Sequence, residues 1–416
     1  MATETIPKTV LLTLGRLPKS LELARALKGA GCRVLVADPF AWHLSRPSNV
    51  IDKCYQTPPP ATHQSEYLDG LLTIIEAENV DLVVPVSEEA LHVSLLAPEL
   101  PERTRLFTNP HDVLWDLNDK YHFNRLAQSA GLPAPETHPA TDPEAARLVQ
   151  TTPCVFKPRI GCSGQKMQML TPDAVPERLL RDADAIVQKR VFGRELSTLT
   201  LCQDGKILAH VTYEGLVFSG TVAVCFQRVE DAPQVAQWVA DFVAANRSSY
   251  FLAFDFIVDQ DGTPWPLECN PRLTSGIHFM EHEDLAAAVC DPDNAPPVRL
   301  KPKKRFQEGH TTLLQVYGSV LKPKQMARRA GAMVTSRDVL WSGSDPLPFP
   351  MMTFSSWPVL KQVLFGGKTF GEAATLDIAW PAGISKVDAA GATHTPQPIS
   401  TLQTVSTADP VNAHET

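Results

Sequence analysis

Thr9-Val10-Leu11-Leu12-Thr13-Leu14 is an almost unbroken apolar run of strand length, which reads as a buried parallel strand. Gly15 interrupts it. From Ser20 to Ala30 the period then changes: Leu21, Ala24, Leu27 and Lys28 follow helical spacing, and Gly31 ends the helix. A second apolar run from Arg33 to Ala37 stops at Asp38. Another helix is predicted from Tyr67 to Glu78 and another strand from Asp81 to Val86. Such strand-helix alternation predicts an open α/β sheet with right-handed crossovers, here over residues 1–113. Pro58-Pro59-Pro60 makes a stiff loop within it.

From Leu114 the texture differs. Asp119 to Ala130 is a predicted helix, ended by Gly131 and followed by a Pro-punctuated stretch from Leu132 to Pro135. Short strands alternate with turns from Cys154 to His210: Val155 to Lys157, Lys166 to Leu170, Ile186 to Lys189 and Leu196 to Cys202. Gln203-Asp204-Gly205-Lys206 is a hairpin turn. A helix from Val235 to Ala245 precedes two strands, Phe251 to Val258 and Pro264 to Glu268, joined by a turn at Gly262. Beyond Pro296 come a basic stretch from Lys301 to Arg305, read as a solvated connector, and mixed helical segments to about Ala382. Residues 386–416 are small, polar and Thr-rich, the composition of a disordered tail.

Composition narrows the class. With 416 residues and 44% hydrophobic content, the chain has material for two or three packed units. A net charge of -8 offers no overall attraction to nucleic acid. No apolar run reaches the roughly 20 residues that span a bilayer, and no signal segment is evident at the N-terminus. The 8 Cys form no Cys-x-x-Cys pair. The expectation is a reduced, cytoplasmic protein with no nucleic-acid or membrane partner.

Three segments carry candidate chemistry. The first is Phe254-Asp255-Phe256 with Leu267-Glu268-Cys269-Asn270-Pro271-Arg272. Glu268 and Asn270, two apart, face the same side of a strand, and the Gly262 turn folds Asp255 back towards them. These hard oxygen donors suit Mg2+, which completes its shell with nucleotide phosphates. A plain hairpin with polar rims is the alternative, which the attached Asn-Pro-Arg and the flanking apolar strands disfavour. The second segment runs from Phe156 to Lys166, where a strand delivers Lys157 into a Gly/Ser loop whose backbone N–H groups can cradle phosphate. It lacks the Gly-Lys-Ser/Thr ending of a P-loop, and taken alone a plain hairpin is the better reading. The third, Ile186 to Ser197, is an apolar strand entering a Gly turn. Its backbone can read adenine, and Glu195 lies seven residues past Gln188, placed to take ribose hydroxyls.

In this order and spacing the segments resemble the ATP-grasp superfamily, over residues 114–300, with a branch similar to single-chain ligases of the carbamoyl-phosphate-synthase type. The resemblance implies a preceding Rossmann-like α/β domain, an ATP-grasp fold with a lid at about 150–192, and a C-terminal extension at 301–385. Residue by residue, Asn118-Asp119-Lys120-Tyr121 resembles the segment bearing the first phosphate-binding lysine, Lys120, and Lys157 matches the second. Gly161, Ser163 and Gly164 match the Gly-rich lid, while Gln188, Lys189 and Val191 match the adenine hinge, where the family more often has Glu than Gln. Glu195 matches the ribose carboxylate. Asp255, Glu268 and Asn270 match the Mg2+ ligands, with Mn2+ an acceptable replacement. Arg272 matches a phosphate or transition-state arginine, so that Lys157, Asn270 and Arg272 form the expected catalytic set. One departure is Ala253, where some D-alanine-ligase-type members carry an arginine. Its charge is then expected from Arg272 or from Arg228.

The implied reaction is activation of a small-molecule carboxylate by ATP as an acyl phosphate, attacked by an amine with release of ADP and phosphate. The partners are thus a small acid and an amine, and the chain is compatible with a homodimer. A fainter resemblance, to the ligase of mycosporine-type biosynthesis, implies phosphorylation of an enol or hydroxyl oxygen instead. A non-catalytic nucleotide-binding module is the third reading. The acceptor pocket is expected between the preceding domain, the stretch from Tyr213 to Arg228, and Ser275, Gly276 and His278. His278 by itself reads more readily as a packed or hydrogen-bonded histidine. Trp341, Trp357 and Trp380 read as core, and Cys162 and Cys269, with no neighbouring base, do not read as nucleophiles.

Overall fold

The computed structural model describes residues 9–161, 167–172, 177–367, 370–381 and 404–405. Five parallel strands form the first sheet: β1 (Thr9–Leu12), β2 (Arg33–Asp38), β3 (Lys53–Gln56), β4 (Leu82–Val84) and β5 (Arg105–Leu106). Their order is β3-β2-β1-β4-β5, so the winding reverses between β1 and β4. The central strands β1, β2 and β4 are buried along nearly their whole length because helices cover both faces, while the outer β3 and β5 carry the exposed Gln56 and Arg105. The helix Pro18–Gly29 packs on one side with Leu21, Ala24 and Leu27, and Gln64–Glu78 on the other with Tyr67, Leu71, Ile74 and Ile75.

A small antiparallel sheet follows, built from β6 (Thr137–Pro139), β7 (Cys154–Pro158), β8 (Gln168–Leu170) and β9 (Ala185–Lys189) in the order β6-β9-β7-β8. The helix Pro143–Thr151 packs against it. The third sheet is the largest: β10 (Arg194–Gln203), β11 (Lys206–Ser219), β12 (Val222–Val229), β13 (Tyr250–Val258), β14 (Pro264–Asn270), β15 (Arg305–Gln307) and β16 (Arg337–Asp338), ordered β14-β13-β10-β11-β12-β15-β16. One of its faces carries Pro233–Ala245 through Trp238, Phe242 and Phe254. The other joins the first domain in one apolar core, in which Leu199, Val211 and Phe226 share a cluster with Val10, Leu27 and Val34.

The C-terminal extension is tied back to the first domain. Arg25 pairs with Asp345 at 2.9 Å and Arg16 with Asp377 at 2.7 Å, both arginines being nearly buried. Trp380 stacks on His92. Five helices make up most of it: Gly309–Tyr317, Pro323–Thr335, Pro348–Ser355, Trp357–Gly366 and Phe370–Thr375.

Three expectations need correction. Lys301 to Arg305 is more than a solvated connector, since Lys301 pairs with the buried Glu22 at 2.5 Å and Arg305 begins β15. Trp341 and Trp357 are about half exposed, unlike Trp380, because they edge the extension rather than its contact with the first domain. The strands β11 and β12, 14 and 8 residues long, extend well past the predicted end of strand structure at His210. The expected tail lies outside the described residues except for Thr404–Val405, a short strand β17 antiparallel to β3. Among the described residues no helix is long and apolar enough to cross a membrane.

Candidate active site

Two neighbouring strands of the large sheet set the acidic rim. In the β13–β14 register Asp255 lies opposite Glu268 and Ala253 opposite Asn270. A bulge follows, because Phe256 pairs with Pro266 and leaves Leu267 as the extra residue. Bulging turns the Leu267 carbonyl towards Lys157, whose Nζ donates to it at 2.9 Å. Asp255 is held from both sides, accepting from Ser197 Oγ at 2.7 Å and from Asn270 Nδ2 at 3.3 Å. Arg272 donates to Asn270 Oδ1 at 3.1 Å. All three proposed metal ligands therefore share one rim.

Lysines face that rim from the opposite side. Lys120, at the start of the helix Lys120–Ser129, lies 3.2 Å from Glu268 and donates to the Gly161 carbonyl at 2.8 Å. Its place is fixed by Asp119, which caps the helix by accepting from the Tyr121 and His122 N–H groups and pairs with Arg159 at 2.7 Å. Burial lowers Lys157 to about 8, with Lys120 adding to the fall and Glu268 opposing it. Burial also pushes Asp255 up to about 6, reinforced by Glu268. For Glu268 burial works in the same direction but is outweighed by Lys120 and Lys157, which hold it below the usual carboxylate range. Two opposed carboxylates and an amide oxygen at one rim make a donor set that fits a hard divalent cation.

Above the rim opens a cavity of about 670 Å3, on the scale of a small-molecule site. Asp255, Glu268, Asn270 and Arg272 line one end, with Gly193 and Glu195 beside them. Gly193 has no room for a side chain, since a Cβ there would lie 2.0 Å from the Val258 carbonyl oxygen. The first domain contributes Lys19 and Ser87-Glu88, which follow β1 and β4. That is the point where its strand order reverses, the place where open α/β sheets bind ligands. Glu88 pairs with Arg272 at 2.5 Å, and Lys19 donates to Ser87 Oγ and to the Leu273 carbonyl. Reading the sequence by motif missed these residues; their position just past the ends of two predicted strands was the signal available. The C-terminal extension supplies the remaining wall through Met352, Val359 and Ala374.

Other expected residues fall differently. Ser275 and His278 line the cavity, and His278 bonds to Glu22 through Nδ1 at 3.1 Å. Gly276 does not face it: a Cβ there would meet Leu199 at 2.5 Å, so its smallness serves packing against β10 and β11. Arg228 is turned away from the site, donating to the Lys301 carbonyl and pairing with Glu230. Gln188 is buried in the small sheet and donates to Thr137 Oγ1 at 3.0 Å, while Lys189 is exposed and Val191 half-buried on the link to β10. Cys162, Ser163 and Gly164 lie outside the described residues. Burial raises the Cys269 thiol far above its usual range, which leaves it a protonated core side chain.

Residues 117–276 match the family described as ATP-grasp domain. Over 291 residues the chain is 23% identical to the C-terminal section of the carbamoyl phosphate synthase large chain of Methanopyrus kandleri, covering 61% of this chain and 50% of that protein. It thus spans about half the length of the curated relative it matches. Among solved structures, N5-carboxyaminoimidazole synthetase from Staphylococcus aureus superposes with a TM-score of 0.58 at 14% identity, over 76% of this chain and 86% of that one. The biotin carboxylase domain of 2-oxoglutarate carboxylase from Hydrogenobacter thermophilus, a dimer in complex with MgADP and bicarbonate, gives 0.57 at 14% identity, over 72% and 73%. An L-amino acid ligase from Bacillus licheniformis gives 0.53 at 15%, over 69% and 75%. Residues 117–276 are therefore an ATP-grasp domain by this match, set in a fold shared with these solved structures.

Proposed function

We propose that this protein is an ATP-dependent ligase that activates a small-molecule carboxylate as an acyl phosphate and passes it to an amine, releasing ADP and phosphate. The observation that carries this reading is the convergence of Lys120 and Lys157 on the Leu267–Glu268 stretch of a rim whose Asp255, Glu268, Asn270 and Arg272 line one cavity. The ligase, synthetase and carboxylase names of the similar proteins support it at the level of reaction class.

Asp255, Glu268 and Asn270 would hold Mg2+, which when bound neutralises charge on the nucleotide's terminal phosphates. Lys120 and Lys157 would contact the same phosphates from the opposite side, and Glu195 would take the ribose hydroxyls. Arg272 is steadied by Glu88 and Asn270, so its guanidinium keeps one orientation between the phosphate end and the cavity. There it would stabilise the charge that develops as the acid oxygen attacks the γ-phosphorus. Lys157, already losing its proton more readily than an ordinary lysine, would be held fully charged by the phosphate it meets.

The test is a screen of small acids and amines that reads ADP formation, followed by product mass spectrometry. With an acid labelled with heavy oxygen, one label should appear in phosphate for each amide formed. Glu268→Gln and Lys157→Met should each lower ADP formation on the order of 10^2-fold or more. Production of AMP would defeat the reading. ADP formed without carboxylate label would move the chemistry to an enol or hydroxyl oxygen.

A further inference from the structure

Part of the cavity lining differs in composition from the metal rim. Phe218 and Val224 come from β11 and β12, and Met352, Val359 and Ala374 from the C-terminal helices. The extension that supplies the last three is fixed by the Arg16–Asp377 and Arg25–Asp345 pairs. Set into this apolar wall is Glu308, which precedes the helix Gly309–Tyr317 and is held there by its backbone N–H donating to the Val224 carbonyl at 2.8 Å. Its carboxylate accepts from Thr311 at 3.4 Å, a long and weak bond. Burial pushes the Glu308 carboxyl up to about 7, with Thr311 and Lys19 opposing the rise and Asp338 adding to it. A bound cation would restore its charge. The same cavity is lined by Arg272, with Lys157 and Lys120 behind the acidic rim, a surrounding that suits anions. The Glu308 carboxylate and the Arg272 guanidinium thus suit ligand groups of opposite charge.

We propose that this wall is the amine subsite, and that it takes a primary ammonium bearing an apolar group, whose proton passes to the Glu308 carboxylate before the free amine attacks the acyl phosphate. The ammonium sits on Glu308 and the apolar group lies against Met352, Val359 and Ala374. The inference rests on the acid being activated at the metal rim, and it adds the class of the second substrate. The four methylenes by which a pentyl exceeds a methyl body, at about 0.8 kcal/mol each, favour it by far more than tenfold when buried, so a tenfold threshold is conservative.

The experiment titrates the full-length protein, with Mg2+ and a non-hydrolysable ATP analogue present, at pH 8 by calorimetry. The probes are n-pentylammonium, methylammonium and 1-pentanol. Pentylammonium is expected to bind at least tenfold more tightly than either of the others. Glu308→Gln should weaken pentylammonium tenfold while leaving pentanol unchanged. Ala374→Phe, which fills the wall without touching the charge, should weaken pentylammonium more than methylammonium. Failure of pentylammonium to bind, pentanol binding equally well, or binding unmoved by Glu308→Gln would overturn the proposal. ADP formation measured in parallel separates the two claims. Pentylammonium binding without acid-dependent ADP release sinks the ligase reading and keeps the subsite. Amide formation from ammonia alone, with no uptake of pentylammonium, does the reverse.

Discussion

Glu22 shows how one buried side chain can organise the back of the cavity. It lies on the helix Pro18–Gly29 and accepts from His278 Nδ1 at 3.1 Å, His282 Nε2 at 2.7 Å and Lys301 Nζ at 2.5 Å. Burial alone would raise its pKa, but His278, His282 and Lys301 together hold it well below the ordinary glutamate value of 4.5. A carboxyl with a depressed folded pKa binds more protons unfolded than folded, so its stabilisation is complete above about pH 4.5 and drains away as pH falls towards the folded value. Stability measured by urea denaturation is therefore expected to drop below pH 4.5, and Glu22→Gln should flatten that acid limb. An unchanged slope in the variant would show that other carboxylates carry it. At this scale the sequence marked His278 as a cavity candidate, but Glu22 bore no mark: a glutamate in an amphipathic helix reads as solvated until the fold buries it.

Among the elements, the helix Lys120–Ser129 was legible from its own residues. Asp119 precedes an apolar-periodic run, and the structure uses it as the cap, accepting from Tyr121 N at 2.9 Å and His122 N at 3.2 Å. Asp119→Ala removes those bonds and strands Arg159, and is expected to cost about 1–2 kcal/mol in chemical denaturation. A loss below a few tenths would mean that packing of Phe123 and Ala127 sets the helix start instead. The strands β11 and β12 show the opposite case. Their register shifts at Gly215, Val217 and Phe218, so Tyr213 and Val217, four apart, pack in different cores. On a regular strand they would share a face. Bulges broke the period-2 signal on which a reading of 206–229 depends. The bulge that turns the Leu267 carbonyl towards Lys157 left no trace in the sequence either, although the Asp255, Glu268 and Asn270 pattern around it did.

Over the whole molecule, the three segments distinguished by sequence texture are less separate than that texture implies. The boundary expected at residue 300 falls between β14 and β15, which share the large sheet. One apolar cluster runs from Val10 through Leu199 to Ile378. The extension is fastened chiefly at Asp345, which pairs with Arg25 and accepts from Ser48 Oγ at 2.7 Å and the Asn49 N–H at 3.1 Å. Asp345→Ala leaves a nearly buried guanidinium uncompensated, at an expected cost of about 3–5 kcal/mol. Limited proteolysis should then cut first within 309–375. If cleavage sites and stability stay as in the native protein, the extension is held by its apolar contacts alone.

Local residue order was sufficient for whatever depends on neighbours in the chain. The alternation that makes the first sheet, the helix beginning at Asp119, and the placing of Glu268 with Asn270 on one strand face all follow from spacing and propensity. Contacts between residues far apart in the chain followed no such rule. Arg272 meets Glu88 from another domain, Arg228 turns to Glu230 rather than to the site, and Met352, Val359 and Ala374 line a cavity whose acidic rim lies about eighty or more positions earlier. Those juxtapositions arise when sheets and helices bury their apolar faces against one another, and burial is decided by the assembled surfaces, not by any stretch of sequence alone.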